Sequence, residues 1–84
     1  MTRLRRQTLT CAPRTILVSG HRTSVRLEPI LWDALQDIAR RQHRSVNEIV
    51  TEIDRNRTTL GLTAAIRVHI VQFYRTFAAK QQAH

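Results

Sequence analysis

The sequence predicts a mostly α-helical fold opened by one short β-strand. Three observations carry that prediction: strict polar–apolar alternation just after residue 20, two apolar stripes at helical spacing joined by a two-residue turn, and a third apolar stretch over 62–77. A chain of 84 residues allows one domain and buries little surface alone, so oligomerisation is the expected route to a sufficient core.

Residues 1–20 read as a flexible basic arm, interrupted by Pro13 and closed by Gly20, in which Ile16-Leu17-Val18 is a short extended piece packed on the domain. The domain proper is expected over 21–79, with 80–84 a frayed tail. From His21 to Glu28, Arg22, Ser24 and Arg26 alternate with Thr23, Val25 and Leu27. That period of two marks a half-buried strand. A lone strand leaves its backbone donors and acceptors unpaired, so its partner is expected to be the same strand of a second copy.

Glu28-Pro29 opens the first helix, expected over 29–42, because proline at the first helical position loses no needed donor. Leu31, Leu35 and Ile38 form its stripe, widened by Trp32 and Ala39. After His43-Arg44, Ser45-Val46-Asn47-Glu48 has the form of a capping box: the serine hydroxyl bonds the Glu48 amide and the glutamate reaches back. Val46, Ile49, Val50 and Ile53 continue at helical spacing, so the second helix runs to about Arg55. Residues 56–61 read as a loop, and Thr63 is the expected cap of a third helix. Leu62, Ile66, Ile70, Phe73 and Phe77 form its stripe, with Val68, Val71 and Tyr74 off it. A helix apolar on more than one side needs cover, which a second subunit would supply.

Charge is uneven. Residues 1–27 carry Arg3, Arg5, Arg6, Arg14, Arg22 and Arg26 and no acid, while all six acids fall between Glu28 and Asp54. A net charge of +8 weighted to one end points to a polyanionic partner, through attraction to phosphates and release of their counterions. No apolar run is long enough to span a membrane. The arginine-rich start lacks the amphipathic period of a transit peptide, and no secretory core follows it, so a reducing cytoplasm is the expected location. The Asn56-Arg57-Thr58 sequon and the lone Cys11 then carry no function, and one cysteine makes no internal disulfide.

The order strand, helix, two-residue turn, capped helix resembles the ribbon-helix-helix superfamily. The residues that carry the resemblance are Thr23-Ser24-Val25-Arg26-Leu27-Glu28, Trp32-Asp33-Ala34-Leu35, Ile38-Ala39 and Arg44-Ser45-Val46-Asn47-Glu48-Ile49. Leu62-Thr63-Ala64-Ala65-Ile66-Arg67 is similar to the extra segment of small bacterial members of that superfamily. The resemblance covers roughly residues 20–77 and leaves the arm aside. It implies a homodimer whose paired strands enter the major groove of double-stranded DNA, and dimers that can assemble further there. It implies base contacts from Arg22, Ser24 and Arg26, and a dimer core of Val25, Leu27, Trp32, Leu35, Ile38, Ile49 and Ile53. Phosphate contacts would come from His43, Arg44, Ser45, Val46 and Asn47, with Arg3, Arg5 and Arg6 of the arm adding charge. The expected activity is transcriptional repression or autoregulation in the nucleoid. An alternative is an antitoxin-like module that binds a partner protein through the apolar third helix.

Nothing in the sequence suggests catalysis. No nucleophile has a neighbouring base, no Gly-rich loop exists to cradle phosphate, and Asp37 with Arg40 and Arg41, or Glu52 with Arg55, have the spacing of surface pairs. His21, His43, His69 and His84 lack metal-ligand spacing, so no metal and no cofactor are expected. His69, among apolar neighbours, reads as a satisfied core histidine, and Trp32 as a core residue.

Overall fold

The alternation at 21–27 does make a strand, and one of its two edges is paired within the same chain. In the computed structural model, which describes residues 12–82, Ala12–Val18 (β1) pairs antiparallel with His21–Leu27 (β2). The turn between them is Ser19-Gly20, both with positive φ, 53° and 82°. That is the left-handed pairing whose twist suits a two-residue hairpin. The expectation of an arm through residue 20, and of a strand with no partner in its own chain, is therefore corrected from Ala12 onward; residues 1–11 lie outside the described residues.

Three helices follow: Pro29–Gln42 (α1), Val46–Asn56 (α2) and Leu62–Gln82 (α3). Proline sits in the first turn of α1, and the helix stops where His43 turns into the left-handed region, φ 55°. The His43 N–H donates to the Arg40 carbonyl at 3.2 Å and the Arg44 N–H to the Ala39 carbonyl at 3.0 Å, closing the helix end in a Schellman pattern. The expected capping box opens α2: the Glu48 N–H donates to Ser45 Oγ at 3.1 Å, and the Ser45 N–H donates to Glu48 Oε1 at 2.8 Å. Two details of α3 differ from expectation. It starts at Leu62, with the Ala65 N–H bonded to the Gly61 carbonyl, so Thr63 lies inside the helix instead of capping it. It also continues to Gln82, through the first residues of the expected tail.

The core is built within one chain. Val25, Leu27, Trp32, Leu35, Ile38, Ile49 and Ile53 are all buried, together with Val18 of β1 and Ala65, Ile66 and Ile70 of α3. Of the helix expected to need cover, Ala65, Ile66 and Ile70 are buried against its own chain, while Val68 and Val71 stay exposed. Two polar contacts fasten α3 across the α1 face: Arg67 donates to the Glu28 carboxylate at 3.0 Å, and the Tyr74 hydroxyl donates to Asp37 Oδ2 at 2.6 Å. Phe73 packs edge-on against Tyr74, and the Arg41 guanidinium lies 4.8 Å above the Phe77 ring.

Candidate nucleic-acid interface

Directly opposed residues of an antiparallel pair point to the same side of the sheet. The register sets Pro13 opposite Arg26, Thr15 opposite Ser24 and Leu17 opposite Arg22, so these six share the outer face. Arg22, Ser24 and Arg26 are all exposed there, while Val25 and Leu27 are buried beneath. The face that sequence alternation assigned to solvent is thus presented on a rigid support. Inward, Ile16 and Val18 pack on the core, and the Arg14 guanidinium lies 4.9 Å from the Trp32 ring.

The hairpin has two unlike edges. Because Val18 and His21 close the two-residue turn, the backbone groups of Leu17 on β1 and of Arg22, Ser24 and Arg26 on β2 point away from the ladder. On the β1 side α2 takes up those donors: the Leu17 N–H bonds Asn47 Oδ1 at 3.3 Å, and the turn's Ser19 N–H bonds Thr51 Oγ1 at 3.1 Å. On the β2 side no further strand flanks the sheet among the described residues. Pro13 stands at an outward position of β1, where no ladder donor is lost.

Beside the hairpin lies the amino end of α2. Helical geometry leaves the Val46 and Asn47 amides without acceptors in their own helix, and Ser45 and Asn47 are exposed there. Such an end attracts anions. His43 is exposed next to it. Arg44 stands beside it as well, its guanidinium paired with Glu52 at 2.6 Å and reaching the Glu48 carbonyl at 3.3 Å, so that it lies along α2. Spacing matches Glu52 with Arg55, yet its partner is Arg44. The Asp37 pairing does follow spacing, with Arg40 at 3.0 Å and Arg41 at 2.9 Å. Arg3, Arg5 and Arg6 lie outside the described residues.

Sequence reasoning missed the β1 side of this surface. The available signal was Ser19-Gly20, a turn dipeptide between two strand-like runs. Among the described residues no group of histidine, cysteine and carboxylate side chains is arranged to hold a metal, and no helix is long and apolar enough to cross a membrane. His69 is not the satisfied core histidine expected: it is half-buried, and its enclosed Nε2 has no hydrogen-bond partner. Burial holds its pKa below the usual histidine value, against the opposing pull of Glu52.

Comparison with known proteins agrees with this geometry. A solved structure of an uncharacterized protein from Bordetella pertussis Tohama I superposes with a TM-score of 0.72 at 26% sequence identity, over 90% of this chain and 64% of that one. The chain therefore spans under two thirds of that protein's length. No curated protein matches. The ribbon-helix-helix domain model matches residues 11–74, which takes in the hairpin, α1, α2 and the first part of α3. The chain belongs to the ribbon-helix-helix domain family, whose domains generally bind DNA as dimers in transcription regulation.

Proposed function

We propose that this chain is a sequence-specific DNA-binding homodimer that acts as a transcriptional repressor or autoregulator. The observation that carries the reading is the open outer edge of β2, on which Arg22, Ser24 and Arg26 are exposed while Val25 and Leu27 are buried. Two such edges pair about a two-fold axis at Ser24, giving an antiparallel sheet in the order β1, β2, β2 of the partner, β1 of the partner. The two β2 strands form the central ribbon. Their arginines meet guanine O6 and N7 in the major groove, and Ser24 donates or accepts at the centre. The amino end of α2, with Ser45, Val46 and Asn47, clamps a phosphate on each flank, with His43 and the basic arm adding charge. Arg44 contributes by cancelling Glu52 beside that site. No catalytic step is part of this reading.

Selecting bound sequences from a random duplex pool tests it. A single preferred motif with two-fold symmetry is expected, and Arg26→Ala should then lose about 1–3 kcal/mol of discrimination at one position per half-site. Arg5→Ala should weaken all duplexes alike and flatten the salt dependence by about one unit per lost phosphate contact. A pool that returns no motif would refute sequence-specific binding.

A second reading, an antitoxin-like module with a protein partner, draws on α3. Phe73 and Phe77 are half-buried within the chain, but Val68 and Val71 are 43% and 54% exposed along the same helix. Val71→Glu should release a co-purifying partner and leave DNA binding intact; if no protein accompanies the native chain, this reading fails.

A further inference from the structure

We infer that Leu17, on the strand that alternation alone leaves in the arm, reads the 5-methyl group of a thymine at the flank of each half-site. This rests on the DNA-binding reading and extends it to β1. Leu17 stands on the outer face opposite Arg22, yet it is apolar and 48% exposed. Its position is fixed from both sides. Its neighbours Ile16 and Val18 are anchored in the core, and its own N–H is held by Asn47 Oδ1 at 3.3 Å, beside the anion-attracting end of α2. Leu17 also lines a shallow groove of about 580 Å³ that runs between the hairpin and α2, with Gly20, Asn47, Thr51 and Arg55 on its walls.

That groove joins the two functions assigned to this surface. A DNA strand with one phosphate at the Val46 and Asn47 amides and its base edges toward Arg22 must pass Leu17 between them. The pyrimidine C5 position projects into the major groove on the side nearer its own sugar–phosphate chain, which is the part of the base that a residue in this place meets. Only thymine carries a methyl there, and an apolar side chain distinguishes it by burying it. Of the acids on this groove, Glu52 is paired with Arg44, and Glu48 reaches back to the Ser45 N–H at the helix end.

The test uses the full chain and the duplex selected from a random pool. Each thymine is replaced in turn by deoxyuridine, which removes the methyl and leaves pairing unchanged. The wild type should lose affinity about fourfold per half-site at one thymine flanking the arginine-read positions, the worth of one buried methyl. Leu17→Ala should bind the thymine and deoxyuridine duplexes equally, while Leu17→Met keeps the preference; circular dichroism of both variants confirms the fold. A Leu17→Ala variant that retains the preference overturns the inference, as does a selected motif without a flanking thymine. A wild type indifferent to every deoxyuridine, with Arg26→Ala still relaxing specificity, removes Leu17 and leaves the DNA reading standing. Absence of any selected motif removes both.

Discussion

The Tyr74 hydroxyl sits 2.6 Å from the Asp37 carboxylate and ties α3 to α1. The same carboxylate accepts from Arg40 and Arg41, so three donors converge on one acid. Its pKa falls from 3.8 to about 2, with the Tyr74 bond the largest cause and Arg41 next. A depressed carboxylate pKa stabilises the fold above the unfolded value and loses that effect as pH falls. Acid unfolding of this protein should therefore include a component between about pH 4 and pH 2. Tyr74→Phe should raise the Asp37 pKa toward 3.8 and move the acid midpoint upward, as carboxyl-carbon NMR titration can follow. An Asp37 pKa unchanged in Tyr74→Phe would show that the arginines alone hold the charge.

The hairpin turn makes a separate prediction. Gly20 has φ +82°, and a side chain built there would meet no atom within 4 Å. The cost of substitution is therefore one of backbone conformation alone. Gly20→Ala should destabilise the fold by about 1–2 kcal/mol, and Gly20→Asn by less, since asparagine visits this region more readily. Urea unfolding midpoints measure both. Equal stability of Gly20→Ala and the wild type would mean that the turn is not held in this form.

Much of this architecture was legible in the residues themselves. The limits of α1 and the capping box of α2 follow from Pro29 and from Ser45 with Glu48, because helix ends depend on local groups. The inward and outward faces of β2 follow from the alternation of Arg22 through Leu27. What the residues hid is non-local. Ile16 and Val18 read as a short extended piece packed on the domain, but their pairing with β2 emerges only when the Ser19-Gly20 turn folds them beside it. Likewise, Ile66 and Ile70 complete the core on which the strand and first two helices rest, so the main apolar stripe of α3 serves its own chain. Arg44 reads as a phosphate ligand by position, and only the three-dimensional approach of Glu52 shows that its charge is engaged.

The proposed pairing of two β2 strands about Ser24 has an electrostatic consequence. It sets Arg22 directly across from Arg26 of the partner subunit, twice per dimer. Like charges facing one another across a ladder destabilise it by roughly 0.2–1 kcal/mol per pair. DNA phosphates relieve that repulsion, and so does salt. Arg22→Ala should therefore strengthen the dimer without DNA, as sedimentation would show, while weakening the DNA complex. Added salt should tighten the free dimer and loosen the complex. If Arg22→Ala and the wild type dimerise equally at low salt, the two strands do not meet in this register.

The orphaned imidazole of His69 supplies the last prediction. Its Nε2 is enclosed without a hydrogen-bond partner, between α2 and α3, and burial lowers its pKa from 6.5. Desolvation is the largest cause; Glu52 opposes it and Arg44 adds to it. In the window below 6.5 the unfolded chain binds the proton more readily than the folded one, so stability should fall as pH drops through that range. His69→Leu keeps comparable bulk, removes the titrating group and leaves no polar atom unpaired. It should flatten the dependence of the melting temperature between about pH 7 and pH 5, and it should stabilise the fold at neutral pH by about 1 kcal/mol, the lower end of the cost of an unsatisfied buried polar group. A His69→Leu protein that melts lower than the wild type at pH 7 would mean that His69 makes a favourable polar contact, and that its place between α2 and α3 is not apolar.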